Sequence, residues 1–283
     1  MLAAATTSMI NYPQAVLLGV IQGLSEFIPI SSTAHLRVIP ALLGLTDPGT
    51  AYSAVIQLGT LISLLIYFRM DLYTFTVAVI HGLKNGDPWE SQDSRMAYFM
   101  VIGTIPISIA GLLLSDFISG DARSLYVISG ALIGLAVILW FADRFSRKVL
   151  TIDDFTWKDS LYIGIAQCFA LIPGASRAGT TLTMGLLLGY SRQASMRFSF
   201  LISIPAIGLS GFYELFKERE QLASLGFGGL VVGTVVSAFV GYLTIAGLLR
   251  YLRTHSTAVF VVYRIALGLG ILILLSYQFI KPL

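Results

Sequence analysis

The chain has 283 residues and a formal net charge of +3; 56% of its residues are hydrophobic and only 12% are charged. Soluble domains carry about twice that share of charged residues, and the mean hydropathy here is +0.82. These values exclude a disordered chain, a coiled coil and an ordinary soluble enzyme. They predict one transmembrane domain, residues 1–283, of the all-α polytopic class.

Six apolar stretches are long enough to cross a membrane as helices, because a crossing takes about 20 apolar residues. Two further apolar regions, 12–45 and 160–190, are each interrupted near the middle by a polar loop. Unwound backbone at that depth must be buried in protein or line a wet cavity, so each region predicts a re-entrant helix–loop–helix pair. The broken regions precede the first and the fourth of the six spans, which are 51–68, 96–114, 124–142, 197–215, 226–249 and 258–280.

The positions of the basic residues predict the orientation of the spans. If the spans alternate and each re-entrant pair returns to its own side, one face carries the basic majority and is expected to be cytoplasmic. Eleven basic residues lie on that face: Arg69, Lys84, Arg95, Arg144, Arg147, Lys148, Lys158, Arg192, Arg197, Arg250 and Arg253. Four lie on the other face: Arg123, Lys217, Arg219 and Lys281.

The two broken regions resemble each other, which indicates an internal repeat. Gly19–Gln22 aligns with Gly164–Gln167 at an offset of 145, and Ser32 aligns with Ser176 after one gap. Each broken region is followed by three spans, so the second copy enters from the opposite side. This predicts an inverted-topology repeat, about 11–143 and about 158–280, whose polar breaks meet near the midplane. The alternative is chance similarity between helices rich in small residues.

The first break carries side chains suited to chemistry. Glu26 lies deep in an apolar stretch, and Ser31, Ser32, Thr33 and His35 follow within nine residues. An ionisable group at that depth is costly, which favours metal ligation or acid–base work over a hydrogen-bonded structural carboxyl. The hydroxyls can cap a helix whose N-terminus binds an anion, and the histidine can transfer a proton or attack as a nucleophile. The other two histidines, in predicted loops, are given no role: His81 and His255.

The second break, Pro173–Thr181, is rich in glycine and hydroxyl residues and contains one arginine, Arg177. A guanidinium stays charged and offers phosphate a planar fork, while glycines let the backbone approach an oxyanion. We therefore expect an external anion as the partner of Arg177; structural pairing with Glu26 is the alternative. Together the two breaks predict phosphoryl transfer on a substrate whose other end is a lipid.

Gln22–His35 and Pro173–Thr181 resemble the two signature motifs of the undecaprenyl pyrophosphate phosphatase family, which is also known for bacitracin resistance. Val55–Gly59 and the pair Tyr263-Arg264 are similar to further family segments. The resemblance implies an integral membrane hydrolase that releases phosphate from undecaprenyl pyrophosphate and so recycles the cell-wall carrier lipid. It also implies a multi-pass protein of the plasma (inner) membrane with its active site facing outside, and a divalent cation such as Mg²⁺ as cofactor.

The resemblance assigns roles residue by residue. The catalytic residues are expected to be Ser32, His35, Glu26 and Arg177, with Glu26 also the metal ligand. The substrate-binding residues are expected to be Ser31, Thr33, Gly174, Ser176, Thr180 and Gln22. Three residues depart from the family pattern: Gln22 replaces a second Glu, Ala34 a Gly and Ala178 a Ser. The first change bears on metal affinity, because one helical turn now presents one carboxylate instead of two.

The expected mechanism has Arg177 and the helix N-termini holding the pyrophosphate while Ser32 attacks and His35 manages the proton. Direct attack by His35 or by water is the alternative. A transporter of undecaprenyl phosphate or a related prenyl phosphate lipid is the alternative function, because broken helices in inverted repeats are typical of carriers. The expected partners are the polyprenyl pyrophosphate lipid and the bilayer, without nucleic acid; homo-oligomerisation stays open.

Overall fold

The computed structural model describes residues 10–45, 49–114, 124–219, 222 and 225–280. Within these ranges the regular structure is helical apart from one isolated bridge between Leu150 and Tyr190. The α-helices are α1 (Tyr12–Ser25), α2 (Ser32–Leu42), α3 (Gly49–Tyr67), α4 (Arg69–Asn85), α5 (Gln92–Leu113), α6 (Leu125–Phe145), α7 (Trp157–Cys168), α8 (Arg177–Leu187), α9 (Arg192–Lys217), α10 (Phe227–Tyr251) and α11 (Ala258–Ser276). The all-α class is confirmed.

Six helices in the described part of the chain are long and apolar enough to cross a membrane: α3, α5, α6, α9, α10 and α11. They coincide with the six predicted spans. Their outward side chains are apolar, and Phe212 and Phe239 are each 67% exposed, as expected of a surface that faces lipid. The protein is therefore a multi-pass membrane protein. Two basic residues used for the orientation, Arg123 and Lys281, lie outside the described residues.

One helix was not predicted. α4 was taken for a loop, and the expected loop position of His81 is therefore wrong. The helix has an acidic residue, Asp71, in its first turn and ends at Gly86, whose φ of 76° is the left-handed conformation that glycine favours. It has 17 residues with charged side chains near both ends, so the apolar stretch between them is too short to cross a membrane. His255 does lie in a loop, after α10.

Both polar breaks begin earlier than predicted. The first covers residues 26–31 between α1 and α2, and the second lies between α7 and α8 and contains a short 3-10 helix, Phe169–Leu171. Ser31 and Ser176 are the N-caps, and their hydroxyl oxygens accept hydrogen bonds from Ala34 N and Gly179 N. The caps start the helices here, so His35 and Thr180 lie in first turns and not in loops.

The two helix–break–helix pairs share one ungapped register. α2 and α8 have 11 residues each, and α8 begins and ends 145 positions after α2 begins and ends. α7 likewise begins 145 positions after α1 begins. Ser31 and Ser176 also share an unusual positive φ, 74° and 70°, which non-glycine residues rarely adopt. The alignment of Ser32 with Ser176 is therefore wrong: Ser31 is the counterpart of Ser176, and Arg177 occupies the place of Ser32.

The two pairs begin at opposite ends of the bundle. α1 starts beside the start of α10, where Ile10 N donates to Leu225 O at 3.4 Å. α7 starts beside the start of α9, where the Tyr190 hydroxyl donates to Asp159 at 2.8 Å. α9 and α10 are antiparallel, because the start of one and the end of the other line the same small cavity. An inverted-topology repeat requires this arrangement; the repeat itself, with boundaries of about 11–143 and 158–280, stays a prediction.

Each pair packs on a spanning helix through glycines. Gly19 of α1 lies against Gly233 of α10, and Gly164 of α7 lies against Gly103 of α5. A Cβ atom at Gly164 would overlap the backbone of Gly103. These close contacts let polar breaks be held rigidly between apolar helices.

Replacing Gly164 with alanine is expected to destabilise the protein, because the added methyl must push α7 away from α5. Overpacking of this kind costs about 1–3 kcal/mol, so the melting temperature in detergent should fall by several degrees. Gly130→Ala is the matched control, since nothing lies within 4 Å of a Cβ there and alanine favours a helix. Equal melting temperatures for the two variants would contradict the close contact.

Candidate active site

A cavity of about 640 Å³ opens where the two breaks meet. α3 and the C-terminal ends of α5 and α9 complete its walls. Apolar residues such as Ile107, Leu112 and Leu209 also line it, and Leu112 and Leu209 are more than half exposed. Eight predicted site residues line the cavity: Gln22, Glu26, Ser31, Ser32, Thr33, Gly174, Ser176 and Arg177. His35 and Thr180 are not part of its lining.

Glu26 is the centre of the polar network. It is the C-cap of α1 and is 9% exposed. Its Oε2 accepts hydrogen bonds from Gln22 at 3.0 Å and from the Ser32 hydroxyl at 2.8 Å. Its Oε1 accepts from Gln57 at 3.2 Å and from Arg177 at 2.7 Å. Four donors therefore fix the direction of the carboxylate.

Arg177 reaches Glu26 from the other break, 151 positions along the chain. Their ion pair is mostly buried, with side-chain exposures of 15% and 6%. The structural pairing that the sequence analysis weighed as the alternative is thus present. This ion pair does not exclude anion binding, because a guanidinium has five donors and Glu26 does not use all of them. Arg177 is also the first residue of α8, so it lies at the positive end of that helix. One nitrogen contacts Glu26 while the side chain borders the cavity.

The N-termini of α2 and α8 both face the cavity. Their N-cap residues Ser31 and Ser176 line it, and so does Thr33 in the first turn of α2. Unpaired backbone N–H groups and the positive ends of two helix dipoles therefore point into the same space, an arrangement that attracts anions. Gly174 lies under this site with φ at 94°, packed so tightly that a Cβ would collide with Ile128 O.

His35 is bonded on both sides. Its Nδ1 lies 2.7 Å from Ser31 O, and its Nε2 lies 2.6 Å from the hydroxyl of Tyr263. Since a carbonyl only accepts, Nδ1 carries the proton and Nε2 accepts from Tyr263. The two rings are also stacked at 5.6 Å. Thr180, at the equivalent position of α8, donates its hydroxyl to Arg177 O at 3.1 Å. Both side chains thus bind the backbone at the ends of the breaks and do not line the cavity.

Arg264 ties the two breaks together. Its side chain is fully buried at 0% exposure and donates to five carbonyl oxygens. One acceptor is Pro29 in the first break, two are in α6, and two are Gly174 and Ala175 in the second break. Arg264, Gln57 and Tyr263 were not predicted as site residues, and their only signal in the sequence was the family likeness of their segments.

The cavity offers a divalent cation the carboxylate of Glu26. No group of three or more His, Cys, Asp or Glu residues occurs among the described residues, so these ranges hold no ready-made metal cage. Mg²⁺, however, is commonly held by one or two carboxylates with water and phosphate oxygens. The single carboxylate of Glu26, which borders the cavity, therefore fits an ion that arrives with a phosphate group.

The chain is similar along most of its length to proteins of one family. Residues 15–270 match the family model described as "Bacitracin resistance protein BacA". Curated relatives named Undecaprenyl-diphosphatase include those of Chlorobium phaeobacteroides strain BS1, 50% identical over 95% of this chain and 98% of the relative, and of Chloroherpeton thalassium, 51% identical over 93% and 96%. A third, from Myxococcus xanthus, is 51% identical over 95% of this chain and 91% of the relative.

These matches extend over nearly all of the chain and include both breaks. The resemblance inferred from the two motifs is confirmed, and the chain belongs to the bacitracin resistance protein BacA family.

Proposed function

We propose that this protein is a membrane phosphatase that hydrolyses undecaprenyl pyrophosphate to undecaprenyl phosphate and phosphate, and so recycles the cell-wall carrier lipid. Relatives about 50% identical over nearly their whole length carry the name Undecaprenyl-diphosphatase. The observation that carries the proposal is the meeting of Ser32, Glu26 and Arg177 at one cavity. A nucleophile, a proton acceptor and a cation are the parts that phosphoryl transfer needs.

The geometry favours Glu26 over His35 as the acceptor of the Ser32 proton. The Ser32 hydroxyl donates to Glu26, whereas both ring nitrogens of His35 are engaged elsewhere. In this mechanism the Ser32 oxygen bonds to the terminal phosphorus, the bridging P–O bond breaks, and undecaprenyl phosphate leaves. Water then cleaves the phosphoserine and releases phosphate. His35 positions Ser31, whose carbonyl it binds, and direct attack by His35 or water remains the alternative.

A divalent cation is part of the proposal. Glu26, whose carboxylate borders the cavity, would hold it there. When bound, the ion would neutralise charge on the pyrophosphate. Arg177 and the two helix N-termini supply the remaining positive potential.

The apolar residues of the cavity suit the lipid tail. Ile107, Leu112 and Leu209 line the cavity together with the polar break residues, and Leu112 and Leu209 reach the exposed surface. A pyrophosphate could therefore lie against the breaks with its prenyl chain directed towards the bilayer. A soluble phosphate ester has no apolar chain to bury against these residues, so it would gain no binding energy from them.

The cavity is also proposed to open to the outside of the plasma (inner) membrane. The end of α9 lines the cavity, whereas its first residue, Arg192, pairs with Asp143 at the far end at 2.6 Å. The basic majority lies at that far end, and basic residues favour the cytoplasmic side.

The test is phosphate release from undecaprenyl pyrophosphate by protein reconstituted in liposomes. We expect release by the wild type, at least a tenfold fall with a chelator, and recovery on adding Mg²⁺. A labelled lipid reports crossing between leaflets in the same vesicles. Crossing without phosphate release would contradict the phosphatase and favour a carrier. A phosphoryl group retained on the protein after rapid quenching would distinguish attack by a side chain from attack by water.

A further inference from the structure

A second cavity, of about 370 Å³, is lined by three arginines. We call it the arginine cavity; its lining residues are Tyr67, Gln193, Arg197, Ala246, Leu249, Arg250 and Arg253. None of them belongs to the site described above or is used by the proposed mechanism.

The arginine cavity and the active site lie at opposite ends of the same two helices. α3 contributes Ser53 to the active-site cavity and Tyr67 to the arginine cavity, and α9 contributes Tyr213 and Arg197 in the same way. With a rise of 1.5 Å per residue, these pairs are roughly 20–24 Å apart along the helices. The arginine cavity is therefore at the depth of the headgroups in the leaflet opposite the active site.

The charges around the arginine cavity are not balanced. Arg197 forms an ion pair with Asp71 and lies over the ring of Phe68, 5.5 Å from its centroid. Arg250 and Arg253 form no side-chain hydrogen bond or ion pair within the described ranges, and both are exposed. Basic residues at the end of α10 interact favourably with the helix dipole, but that effect does not require three guanidinium groups to surround one concavity.

The chemistry of the lining indicates the ligand. A guanidinium presents parallel donors that match phosphate oxygens, and the Tyr67 hydroxyl and Gln193 amide add neutral donors. Leu249 and Ala246 give the cavity an apolar flank. We propose that the arginine cavity binds a phosphate group, with the phosphodiester headgroup of an acidic membrane lipid as the source that its depth favours. This inference does not depend on the phosphatase activity.

The test compares Arg250→Gln/Arg253→Gln with a matched control, Arg69→Gln/Arg95→Gln. The control removes the same charge from exposed residues of the same face outside the cavity. Binding of phosphatidylglycerol and of phosphatidylcholine to the purified full-length protein is measured by native mass spectrometry, and binding of inorganic phosphate by equilibrium dialysis. Melting temperatures establish that all variants are folded.

We expect the wild type to bind phosphatidylglycerol at least tenfold more tightly than phosphatidylcholine, the cavity variant to lose that preference, and the control to keep it within twofold. Phosphate release should stay within twofold in both variants. Inorganic phosphate binding that only the cavity variant loses would support the site with a free anion as its source. Equal losses in cavity variant and control, or no preference for either phosphate-bearing anion in the wild type, would overturn the proposal.

Discussion

Replacing Glu26 with glutamine is expected to reduce the turnover of undecaprenyl pyrophosphate about a thousandfold, within the range that a positioned acid–base group supplies. The amide has nearly the same size as the carboxylate, so the helices should pack as before. It cannot take the proton that Ser32 donates across 2.8 Å, and it leaves Arg177 without its counter-charge at 2.7 Å. The measurement is kcat in nanodiscs, together with the melting temperature.

Gln22→Leu is the matched control for this change. It removes one neutral donor from Glu26 Oε2 and leaves the carboxylate, Ser32 and Arg177 in place. We expect kcat to fall less than tenfold in the control. A Glu26→Gln variant that folds and keeps more than a tenth of the wild-type kcat would remove Glu26 as the proton acceptor, and would return that role to His35 or to water.

The spans and the breaks could be predicted because both depend on composition. Six stretches of about 20 apolar residues have no alternative in a bilayer to forming helices, and proline with hydroxyl residues interrupts two others. The meeting of Glu26 with Arg177 could also be anticipated, since two costly ionisable groups at membrane depth need each other or a ligand. For this reason the motifs predicted a shared site across 151 positions.

Other features depend on geometry that local sequence does not encode. The register that relates the two helix–break–helix pairs is shown by the shared positive φ of Ser31 and Ser176. The gapped alignment of the two sequences did not find this register. The engagement of His35 by Tyr263 joins residues 228 positions apart, and only the packing of α2 against α11 brings them together. α4 was missed because charged residues near both of its ends leave an apolar stretch too short for a span.

Arg264 is the clearest case of a residue whose importance only the structure reveals. In the sequence it is one arginine beside an apolar segment; in the fold it is fully buried and binds carbonyl oxygens of α6 and of both breaks. A single side chain thus fixes the distance between the segments that carry Ser32 and Arg177. Neither half of the chain could hold that distance alone.

Arg264→Met is therefore expected to lower both stability and activity. Each buried carbonyl left without a donor costs about 1–3 kcal/mol, so the five acceptors together cost at least about 5 kcal/mol, which corresponds to a fall in melting temperature of roughly 10–20 °C. Arg264→Lys should recover only part of this, because an ammonium has three donors on one nitrogen and cannot reach five carbonyls from three segments. The measurements are thermal unfolding in detergent and phosphate release in nanodiscs.

Arg69→Met is the control, since Arg69 is exposed and its one side-chain hydrogen bond among the described residues goes to the nearby Ile66 O. Its melting temperature and turnover should stay close to the wild type. In Arg264→Lys, which should remain folded, turnover is expected to fall at least tenfold more than in the control, because the breaks are no longer held in register although Ser32, Glu26 and Arg177 are unchanged. If Arg264→Met kept the wild-type melting temperature and turnover, the breaks would be held by helix packing alone, through contacts such as those of Gly164 and Gly174.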